Sequence, residues 1–122
     1  MASISTQHSA RLAQQGMDFL ASGRAAEAAK FFREAIAADA TNYEAHHGLV
    51  RALRDADQIE QSVAAALALT ALTPNDPLAH TALSLSLQHA GLVPEAEAAA
   101  ARARILEWKI QLQSPPGTEP SL

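Results

Sequence analysis

An all-α chain of three tandem helix pairs is what this sequence predicts, and three observations carry the expectation. Turn residues and small or apolar residues recur at a step of 34 residues, as in Gly23, Asp57 and Gly91 or Ala28, Ser62 and Ala96. Hydrophobic residues make up 48% of the 122 residues but aromatics only 4%, so the core must be Ala and Leu, a composition suited to closely packed helices. Helix start and stop signals punctuate the chain at the same interval, and no alternating β pattern competes with them.

The elements follow in order. Helices are expected near Thr6–Ala21, Arg24–Ala38, Asn42–Asp55, Gln58–Ala71, Asp76–Ala90 and Pro94–Gln113. Gly23 and Gly91 suit the left-handed conformation that ends the first and fifth. Thr41 with Glu44, and Asp57 with Glu60, have the spacing of a capping box and predict the starts of the third and fourth. Asn75-Asp76-Pro77 opens the fifth, and Pro94 sits in the first turn of the sixth, where a missing N–H costs nothing. Within the pairs, Phe19, Leu53 and Leu87 keep the period, as do Phe32, Ala66 and Ala100, and Ala35, Leu69 and Ala103. The expected organisation is a flexible N-terminus over 1–5, one domain over 6–113 with repeats at about 9–42, 43–76 and 77–110, and a disordered tail over 114–122.

Composition also bounds function. A formal charge of −4 leaves no positive field for a nucleic-acid backbone or an anionic membrane, so neither is expected as a partner. The absence of cysteine removes disulfides, thiolate zinc sites and cysteine nucleophiles together. The first residues lack the basic start and apolar stretch of a secretory signal, and charged or polar residues interrupt every Ala/Leu run, so a cytoplasmic protein with no membrane span is expected.

The first repeat carries a family pattern: Leu12, Gly16, Phe19, Gly23, Ala28, Phe32 and Ala35, with Pro74 and Asp76 closing the second repeat. In this the chain resembles the tetratricopeptide repeat family over roughly Ser9 to Ile110. The resemblance implies a right-handed superhelix whose first helices line a concave groove for a protein or peptide partner. Val50 and Ser84 depart from the family's glycine, Ala40 from its proline, and Trp108 from the third repeat's closure, so the last helix is expected to run on as an extended C-terminal helix.

Groove positions carried over from the family are Gln14, Met17, His47, Arg51, Arg54, Thr81, Leu85 and Gln88. Arg51 and Arg54 share a helix face and suit a bound carboxylate, unless Arg51 simply pairs with Asp55 on a solvated surface. The family's carboxylate clamp for chaperone tails falls here on Ala13, Met17, Gly48, Leu78 and Ala82, whose side chains donate no such hydrogen bond. His46 and His80 occupy equivalent positions where the family has a large packing residue. No His-x-x-x-His or Glu-x-x-His spacing and no phosphate loop occurs, and Asp55, Asp57, Glu60, Glu95 and Glu97 read as helix-end charges. No catalysis, metal or cofactor is therefore expected. Two functions remain: an interaction module, adaptor or scaffold using the groove, or a structural homo-oligomer using the apolar residues Ile105, Leu106, Trp108, Ile110 and Leu112 of the last helix. Those residues either dock on the third repeat or form a homodimer or partner surface.

Overall fold

The computed structural model describes residues 3–113. It contains α1 (Ile4–Ala21), α2 (Ala25–Ala38), α3 (Tyr43–Asp55), α4 (Ile59–Leu72), α5 (Pro77–His89) and α6 (Val93–Leu112), with no strand among the described residues. The expected tail over 114–122 lies outside them. Inside the expected flexible N-terminus, by contrast, α1 already begins at Ile4, because the Ser3 hydroxyl accepts the Thr6 amide at 3.1 Å and caps it.

Two of the expected capping boxes are corrected. Asn42, not Thr41, caps α3: its side-chain oxygen accepts the Ala45 amide at 3.1 Å, while the Thr41 hydroxyl turns back to Asp39 at 2.7 Å. Asp57 ends α3 instead of starting α4. It sits at φ 62°, with the Gln58 amide reaching back to the Leu53 carbonyl at 2.8 Å, the same closure that Gly23 and Gly91 make at φ 80° and 78°. Asp76 does cap α5, accepting the Leu78 amide at 3.0 Å ahead of Pro77.

Each helix packs on its chain neighbours, and α3 also touches α1 and α5, whereas α2, α4 and α6 do not touch one another. The first helices of the pairs therefore crowd together on the inner side and the second helices fan apart on the outer. Ala28, Ala66, Ala96, Ala35 and Leu69, all on second helices of the pairs, are fully buried. Phe32, wholly buried, fills the first seam because two glycines make room for its ring: a Cβ on Gly16 of α1 would stand 2.8 Å from it, and one on Gly48 of α3 would overlap it. One buried serine ties the helices of each pair, Ser9 to the Ala35 carbonyl at 2.6 Å, Ser62 to Val50 at 2.9 Å and Ser84 to Ala96 at 2.8 Å. Helix polarity is thus satisfied inside an otherwise small-residue core.

Candidate functional groove

The inner face between α3 and α5 is where the groove residues meet. Successive turns of α3 place His47, Arg51 and Arg54 along one edge, since residues three and four apart share a helix face. From α5 come Leu78, Thr81 and Leu85, and Val50 and Ala82 form the floor of a hollow of about 260 Å³. Thr81 and Leu85 also belong to a second hollow of similar size, continued by Ser84, Gln88, Ala100, Ala103, Arg104 and Glu107 between α5 and α6. The two adjoin at Thr81 and Leu85, and we refer to them together as the channel, its lining mostly apolar with charged residues from α3 and α6.

The first-repeat positions lie elsewhere. Met17 is half-buried against the core cluster to which Phe32 and Leu53 belong. Gln14 donates to Asp18 at 3.0 Å and lines a separate hollow with Thr6, Ala10, Asp39, Tyr43 and neighbouring residues. There the Thr41 hydroxyl and amide hold the Asp39 carboxyl below its ordinary range.

Charge along the channel is unevenly paired. Arg51 stands 3.7 Å from Asp55 with both side chains well exposed, a pair contributing under about 1 kcal/mol that a ligand carboxylate can displace. Arg54 is half-buried and forms no ion pair among the described residues. His47 lies 3.6 Å from the Asp76 carboxylate that caps α5, which joins the groove edge to a helix start. His46 and His80 face away from this chemistry: each half-buried ring hydrogen-bonds a loop carbonyl six residues back, Ala40 at 2.9 Å and Pro74 at 2.8 Å. They latch the interrepeat turns. No group of three or more His, Asp or Glu side chains among the described residues is placed to hold a metal ion.

The tetratricopeptide repeat family model matches residues 19–85, more than half of the 122 residues. The chain belongs to the tetratricopeptide repeat family. Among solved structures, MamA MSR-1 C2 is similar to it with a TM-score of 0.72 at 19% identity, over 78% of this chain and 55% of that one. This tetratricopeptide chain thus spans little more than half the length of that neighbour, and at such identity the likeness speaks for the fold, a helical-repeat superhelix. No curated protein matches the sequence. Tetratricopeptide repeats as a class mediate protein–protein interaction. No helix among the described residues is long and apolar enough to cross a membrane.

Sequence reasoning placed Leu78 only among the positions of the chaperone-tail clamp and not among the groove residues, although it lines the hollow at 64% exposure, and it missed the extension to Arg104 and Glu107. Leu78 was legible as an apolar residue in the first turn of a helix, a place where packing does not demand one. Arg104 and Glu107 belong to the second helix of a pair, a place where the family pattern puts no groove residue, yet both line the hollow beside α5.

Proposed function

We propose that this tetratricopeptide domain is a non-catalytic interaction module that binds an extended or helical protein segment in the channel between α3, α5 and α6. The observation that carries the reading is the convergence of His47, Arg51, Arg54, Thr81 and Leu85 on one hollow with an apolar floor. Such a site takes an apolar side chain on Val50, Ala82 and Leu85 while Arg51 and Arg54 fork onto an adjacent carboxylate. Gln88 continues the channel, whereas Gln14 and Met17 belong to the first repeat's own surface and core.

Arginines that a partner desolvates near the centre of an interface tend to dominate its energy. A panel of fluorescent peptides pairing Leu, Phe or Ile with Asp or Glu tests this by anisotropy. Arg51→Ala with Arg54→Ala should weaken the tightest peptide about tenfold or more, roughly 1.4 kcal/mol. The helical melt should move by under about 0.5 kcal/mol. Leu85→Ala should weaken the same peptide, and Gln14→Ala should not. A panel without binders, or binders indifferent to both changes, would remove the groove as the working surface.

A further inference from the structure

Helix α6 has two apolar faces. Ala96, Ala99, Ala103 and Leu106 are buried, and α5 is the one described element that α6 packs on. Nearly opposite, at 3.6 residues per turn, Pro94, Ala98, Ala101, Ile105, Trp108 and Leu112 follow one another in alternating steps of four and three. All but half-buried Ala101 are exposed, Trp108 by 65% and Leu112 by 71%. Of the five apolar residues expected at the end of this helix, Leu106 alone is buried. Docking on the third repeat thus leaves a continuous outer seam that no other described residue covers.

The flanks of that seam say what covers it. One side carries Glu95 and Arg102 a heptad apart, the other Glu97 and Arg104, and none of these four is in an ion pair among the described residues. We propose that the seam pairs with the same seam of a second copy, antiparallel about a two-fold axis. With Ala98 opposite Ala101 of the second copy, Glu95 faces Arg102 and Glu97 faces Arg104, and symmetry doubles each pair. The central alanines let the helices approach closely, Ile105 covers Pro94 of the other copy, and Trp108 reaches the turn at Leu92, itself 45% exposed. Sliding the helices one heptad to lengthen the overlap sets Arg102 against Arg102 and Arg104 against Arg104. A parallel pair sets Arg104 beside Lys109. The antiparallel register is the one in which every charge across the central layers is matched. The pairing uses none of the residues that line the α3–α5 hollow, and shares only Arg104 with the α5–α6 hollow.

Sedimentation equilibrium of the full chain across micromolar concentrations tests the proposal. The expected mass rises from 12.8 kDa toward twice that value, and added salt shifts the midpoint upward. Glu95→Arg with Glu97→Arg should raise the dimer Kd at least about tenfold, and adding Arg102→Glu with Arg104→Glu should restore it. The chain has no cysteine, so single variants Ala98→Cys and Ala101→Cys, mixed and oxidised, should cross-link preferentially to each other and not to themselves. Arg51→Ala with Arg54→Ala should leave the mass unchanged, which separates this proposal from the groove. A monomer at all concentrations, a dimer deaf to the charge swap, or like-with-like cross-linking would overturn it.

Discussion

At the scale of the residue, the first seam is a fitted set of three side chains. Phe32 is fully buried between Gly16 and Gly48, whereas the next repeat places Ala66 where Phe32 stands and fills the space with Val50 and Ala82 at the two glycine-equivalent positions. Size lost at one position is returned at its neighbours, as close packing requires. Phe32→Ala should therefore cost about 3–5 kcal/mol through the cavity it leaves. Gly48→Ala should cost about 1–3 kcal/mol because its methyl group meets the ring. In the double variant the methyl enters vacated space and alanine favours the helix, so the cost should fall clearly below the sum. Urea denaturation of the four proteins measures that coupling; additive losses would mean that Gly48 does not hold the ring. Phe32 was legible from the 34-residue period. Gly48 was not, because its periodic equivalents are Gln14 and Ala82, and its contact with α2 exists only once α3 folds across it.

At the scale of the element, the periodicity located all six helices, while cap chemistry was harder to read. Asp-x-x-Glu at Asp57 and Glu60 has the spacing of a helix start, yet the backbone there is left-handed and closes α3, as Gly23 and Gly91 close α1 and α5. Spacing alone does not distinguish these roles; the 34-residue equivalence to two glycines does. Asparagine and aspartate tolerate this conformation better than other non-glycine residues but less well than glycine. Asp57→Gly should thus raise stability modestly, by up to about 1 kcal/mol. Gly91→Ala should lower it by about 1–2 kcal/mol. Nothing lies within 4 Å of a Cβ added at Gly91, so that loss is conformational and not steric. Thermal melts followed at the helical band measure both, and a stabilising Gly91→Ala would refute the left-handed closure.

At the scale of the whole molecule, what was legible followed the repeat and what was not followed its ends. His47, Arg51, Arg54, Thr81 and Leu85 converge because the second and third repeats stack as the period implies. Met17, equivalent to Arg51 and Leu85, is apolar and flexible and folds onto the core, so the first repeat adds little to that hollow. Among the described residues α6 packs on α5 alone, and both the α5–α6 hollow and the outer seam of α6 lie exposed. In a linear array, stability depends on how many neighbours an element has. Helices α3 and α4 are held from both sides, while among the described elements α6 is held by α5 alone. Amide exchange should therefore be graded, with α3 and α4 reporting the free energy of global unfolding and the last two turns of α6, from Ile105 onward, opening far more easily in dilute solution. Raising the concentration through the dimer midpoint should increase protection most in α6, whose local opening breaks the seam, and raise α3 and α4 only by what association adds to global stability. Uniform protection at every concentration would mean that the chain unfolds as one block, and a gradient indifferent to concentration would mean that the α6 seam stays bare.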